Sequence, residues 1–105
     1  MIRFHRLIAV GLVLLLSGCQ RTAQVAADPL VIKELDALYT AVTARSPELL
    51  QASRSRLQKL YDTKHLERPA YQRLSRDIQQ AEQGEWKAAA ESLYRFMRAQ
   101  RKPPN

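Results

Sequence analysis

The chain has 105 residues, a net charge of +7 and a single cysteine. Residues in this number make at most one small domain, which buries a modest fraction of its surface. One cysteine excludes an internal disulfide, so stability has to come from helix packing, self-association or a partner.

The first residues, Met1 to Arg6, carry Arg3 and Arg6 and are followed by an apolar run from Leu7 to Leu16. A basic start, a short greasy middle and small residues before a cut site make a secretory signal peptide. The run is about half of the ~20 residues that a membrane-spanning helix needs, which leaves a transmembrane helix with a chance cysteine as the weaker alternative. The tetrapeptide Leu16-Ser17-Gly18-Cys19 resembles the lipobox of bacterial lipoproteins. This resemblance covers residues 1–19. It implies a diacylglyceryl group on the Cys19 sulfur, cleavage between Gly18 and Cys19, and acylation of the new amine with a palmitate-type chain. Gln20, rather than Asp, follows the cysteine. Among such lipoproteins this implies anchoring at the periplasmic face of the Gram-negative outer membrane.

Residues 19–27 then read as lipidated cysteine and tether. Gln20 to Ala27 is polar and small with no amphipathic pattern. About nine extended residues reach on the order of 30 Å, so the folded part stays close to the membrane surface.

The helical domain is expected over residues 28–102. Asp28 suits an N-cap and Pro29 the first helical position, where its missing N–H has no helical partner. Val31, Leu35, Leu38 and Val42 recur at helical spacing, with Ile32 and Tyr39 widening the stripe and Lys33, Glu34 and Asp36 largely off it. Ser46-Pro47-Glu48 repeats the same punctuation, so a second helix starts almost where the first stops. Its apolar face holds Leu50, Ser53, Leu57 and Leu60, flanked by Leu49 and Tyr61. Asp62 to Arg68 has mixed charge and no period, and Pro69 interrupts a helix or sits in the first turn of a new one. The third helix carries a thin seam of Tyr71, Leu74, Ile78 and Ala81, its other positions, Arg73 and Asp77 included, reading as polar surface. Such a seam cannot stabilise an isolated helix and must pack against others. Gly84 marks a helix C-cap. The fourth helix follows with Trp86, Ala89, Ala90, Leu93 and Met97 on one face, and with Lys87, Glu91 and Arg95 stepping along the opposite side. Residues 103–105 form a tail. The fold class is all-α: a small bundle of four short antiparallel helices, with a three-helix version, its first two helices forming one kinked unit, as the alternative.

The stretch Gly84-Glu85-Trp86-Lys87-Ala88-Ala89-Ala90, with Leu93 beyond, resembles the turn and second helix of a tetratricopeptide repeat. The preceding helix departs from that pattern, with Gln80 where tyrosine is usual and Asp77 at the small-residue position. No second copy lies upstream, whereas stable arrays need about three repeats, so a plain helical hairpin is the better description.

The catalytic inventory is poor. After the signal peptide there is one histidine, His65, in a charged loop, with no free thiol, metal-ligand spacing or Gly-rich phosphate loop. His65 reads as a solvated loop residue. Glu82 and Glu85 flank an exposed turn where nothing is expected to perturb them. No enzyme, metal, small-molecule substrate or cofactor beyond the covalent lipid is expected.

Loss of Arg3 and Arg6 with the signal peptide leaves +5. A basic balance fits nucleic acid in general, but an exported chain meets lipid headgroups, lipopolysaccharide phosphates and cell-wall carboxylates instead. Arg54, Arg56 and Lys59, with Arg95, Arg98, Arg101 and Lys102, are the candidates for anionic-surface contact, against the plainer reading of solvated helix faces. Tyr94 and Phe96, at the edges of the fourth helix's core stripe, are the candidates for partner contact. The function these readings favour is a lipid-anchored periplasmic helical adaptor of an envelope assembly, similar in size and anchoring, though in no motif, to small helical lipoproteins that act as secretin pilots. The alternative is a structural envelope lipoprotein that contacts the anionic membrane surface or peptidoglycan through its basic faces.

Overall fold

The structure, a computed structural model, describes residues 28–101. They form four helices: α1 (Pro29–Thr43), α2 (Pro47–Asp62), α3 (Arg68–Glu82) and α4 (Trp86–Arg101). The three-helix alternative is overturned, because α1 and α2 are separated by a full turn and pack side by side as antiparallel neighbours. Each helix packs on the next, and α1 also packs on α4, which closes an up-down-up-down bundle.

Sequence punctuation sets the boundaries. The Asp28 carboxylate accepts from the Leu30 amide at 3.0 Å and the Ser46 hydroxyl from the Leu49 amide at 3.2 Å, each relieving an orphan donor of the first turn. Pro69 sits in the first turn of α3, where its missing amide costs nothing. Three helices end in the same way. Arg45 (φ 53°), Lys64 (φ 65°) and Gly84 (φ 87°) take the left-handed conformation. The amide that follows each bonds back across the turn: Ser46 to the Ala41 carbonyl, His65 to that of Leu60, and Glu85 to that of Gln80. Glycine adopts this backbone without penalty, whereas Arg45 and Lys64 hold it against Cβ crowding.

The core gathers Val31, Leu35, Leu38 and Val42 of α1, Leu50 and Leu57 of α2, Ala70, Leu74, Ile78 and Ala81 of α3, and Ala89, Leu93, Phe96 and Met97 of α4. Several expectations need correction. Phe96 is fully buried rather than a contact residue. It lies seven positions past Ala89 and three past Leu93, which centres it on the inward face. Ile32 is exposed, not part of the α1 stripe, and Trp86 is only partly buried against the core. Glu34 and Asp77, read as surface, are buried at 6% and 3% exposure. Leu66, in the segment without periodicity, closes the bundle end between α2 and α3.

Candidate functional site

The up-down order places the start of α1, the end of α2, the start of α3 and the end of α4 at one end of the bundle. The chain enters the described fold there, at Asp28. That entry is clasped: Asp28 caps α1 through Oδ1 while its Oδ2 lies 2.8 Å from Nδ1 of His65 in the α2–α3 loop. The His65 interaction, more than the cap, holds the Asp28 carboxyl below the usual carboxylate range. His65 is exposed, as expected of a loop residue, but it has a partner 37 positions away.

The candidate contact residues within the described fold each have a place. Tyr94 is half-exposed (51%) and its ring lies 6.3 Å from that of Tyr39 at an interplanar angle of 44°. The two rings form a tilted ledge between α1 and α4, beside a shallow cleft of about 420 Å³ bordered by Lys87, Glu91 and Arg95. The charged row expected along α4 therefore rims an aromatic surface. Of the basic candidates, Arg54 is drawn into an ion pair with Glu82 of α3 at 2.7 Å. Arg56 donates through Nε and Nη2 to both carboxylate oxygens of Glu34 on α1. These two guanidiniums are partly spent on holding helices together. Lys59, Arg95 and Arg98 are exposed. Arg101 closes α4. Gly18, Cys19 and Lys102 lie outside the described residues, as do all the residues expected to form a signal peptide, a tether and a C-terminal tail.

Glu82 also departs from expectation. Gln51 donates to it at 2.6 Å and Arg54 at 2.7 Å, and these bonds, Gln51 foremost, lower its pKa. The partners come from α2, so they were invisible in the local sequence.

Asp77 sits between α3 and α4. The Ser92 hydroxyl donates to its Oδ1 at 2.7 Å, and the Arg73 guanidinium lies 3.9 Å from Oδ2. Arg73 directs Nη2 to the Ser92 carbonyl and hydroxyl instead, with its head 5.7 Å from the centre of the Phe96 ring. Oδ2 is buried with no hydrogen bond. Burial pushes the Asp77 carboxyl up, against the lowering pull of Ser92 and of Arg73.

Among the described residues no cluster of three or more histidine, cysteine or acidic side chains could hold a metal ion, and no helix is long and apolar enough to cross a membrane. The chain matches no family model, no curated protein and no solved structure.

Proposed function

We propose that this protein is a lipid-anchored helical adaptor, held at the periplasmic face of the outer membrane through Cys19 and acting by binding a protein of the envelope. The observation that supports the protein-binding part is the Tyr39–Tyr94 ledge, a half-exposed Tyr94 ring beside a partly buried Tyr39 on the packed α1–α4 face, with charged residues around it. Aromatics in such a setting give contact area at low entropic cost and dominate interface energies. The anchor rests on the Leu16-Ser17-Gly18-Cys19 motif. Several acyl chains make attachment long-lived where one does not, and a short tether raises the local concentration of the bundle near membrane-embedded partners.

Two measurements test this reading. Labelled palmitate enters the wild-type chain, and Cys19→Ser abolishes both incorporation and membrane fractionation; unchanged fractionation refutes the anchor. A photocrosslinking residue at position 94 captures one envelope protein in intact cells, whereas one at Glu48, at the opposite end of the bundle from Asp28, does not. Equal capture from both positions refutes the ledge as the contact surface.

A structural role at an anionic surface is a second reading, favoured by the exposure of Lys59, Arg95 and Arg98. Salt distinguishes the two, because exposed charge contacts are screened within about 10 Å at 0.1 M salt while an aromatic interface persists.

A further inference from the structure

A groove runs between α1 and α2 on the side of the bundle where the chain enters. Its volume is about 630 Å³, inside the range of roughly 300–1,000 Å³ in which proteins hold ligands. Leu30, Ala37 and Leu60 make it apolar, and Lys33, Lys59 and His65 stand around it. The Glu34–Arg56 pair also borders the groove but is internally neutralised. Lys33 and Lys59 are exposed, and among the described residues neither ammonium has an ion-pair partner within 4 Å.

We propose that this groove seats a lipid of an anionic membrane leaflet, an acyl chain along Leu30, Ala37 and Leu60 with its headgroup phosphate between Lys33 and Lys59. Three observations select this occupant. An apolar floor under two unpaired ammoniums complements an anionic amphiphile, and no uncompensated acid stands between them. Leu30, a large apolar side chain 53% exposed in the first turn of α1, lines the groove and extends its apolar floor to the surface, as interfacial helices do where they enter the headgroup boundary. Asp28, where the preceding 27 residues join the fold, is two positions from Leu30, so whatever holds those residues at a bilayer brings this end of the bundle to it first. The segment just before Asp28 is a poorer occupant, because its one charged residue between Cys19 and Asp28 is Arg21, of the same sign as the rim. The inference deepens the membrane side of the proposed function and uses the anchor only to bring the groove to the surface.

The full chain, reconstituted in vesicles of phosphatidylcholine alone or mixed with phosphatidylglycerol, provides the test. A fluorescent residue replaces Thr63, which lines the groove, or Glu48, at the far end, and the acyl chains carry spin-label quenchers. Position 63 is quenched in the phosphatidylglycerol vesicles and position 48 is not. Lys33→Gln with Lys59→Gln reduces that quenching at least about fivefold, since each basic residue near an anionic surface contributes on the order of fivefold in affinity. The helical circular dichroism of the variant is unchanged, which separates loss of the site from loss of the fold; should the pair unfold the bundle, Lys33→Gln alone gives the same comparison. Equal quenching at both positions, indifference to phosphatidylglycerol, or shielding of position 63 only when an envelope protein or a second copy is added overturns the proposal. Flotation on pure phosphatidylcholine vesicles reports the anchor separately, so failure of the anchor and failure of the groove give different results.

Discussion

The bundle consists of two hairpins, and each buries one carboxylate between its helices, yet the two carboxylates are treated differently. In α1–α2, Glu34 receives two bonds from Arg56, whose guanidinium is half in water. The acid is buried while the base keeps much of its hydration, so the pair does not bear the full desolvation of two ions. In α3–α4, Asp77 receives a hydroxyl, and the nearby Arg73 spends its Nη2 on Ser92, leaving one carboxylate oxygen without a donor. The Glu34 bond raises the Arg56 pKa, while burial raises that of Asp77. The geometric difference is that Glu34 has a direct charge partner, whereas the charge nearest Asp77 serves another acceptor.

Substitutions in the two hairpins should separate these cases. The largest effect is expected from Phe96→Ala, which removes the buried ring beneath Arg73 and opens a cavity, at a cost of about 3–5 kcal/mol in unfolding free energy from urea titration. A loss below about 1 kcal/mol would place Phe96 outside the core. Arg56→Met should follow at about 2–3 kcal/mol, because it strands a buried Glu34, while Glu34→Gln costs less, because Arg56 turns to solvent. Equal losses would mean that the pair shares its desolvation evenly. Gly84→Ala is expected to cost about 1 kcal/mol through its positive φ alone, since an added Cβ meets nothing within 4 Å.

The smallest effect at neutral pH, and the most diagnostic, concerns Asp77→Asn. The raised pKa of Asp77 means that the folded state holds its proton more tightly than the unfolded chain. Its contribution is therefore full below the unfolded-chain value of about 3.8 and is lost as pH rises through the folded pKa. Asp28 and Glu82, with lowered values, contribute in the opposite sense: their stabilisation is present above the unfolded pKa and is lost as pH falls through the folded one. Removing the Asp77 titration should enlarge the stability gained between acid and neutral pH, as read from unfolding midpoints across that range. A flatter profile in the variant would contradict the burial argument.

The helix starts and stops were legible because they are local. Asp28-Pro29, Ser46-Pro47, Pro69 and Gly84 each act within one turn of themselves. The buried acids were not, since Arg56 lies 22 positions from Glu34 and Ser92 lies 15 from Asp77, and a charge without a local partner reads as solvated. One signal did exist: the partial tetratricopeptide resemblance put Asp77 where a small packed residue is usual, which marks a position facing the neighbouring helix. Phe96 was misplaced by treating its stripe as starting at Trp86, a residue that the bundle only partly covers. Of the surface, the exposure of Tyr94 followed from its offset along α4, whereas the α1–α2 groove needs two helices and showed in neither alone.

The clasp between Asp28 and His65 also has a mechanical side. One carboxylate both begins the first helix and grips the loop halfway along the chain. A pull arriving from upstream at Asp28 is thereby shared between α1 and the α2–α3 junction for as long as the contact holds.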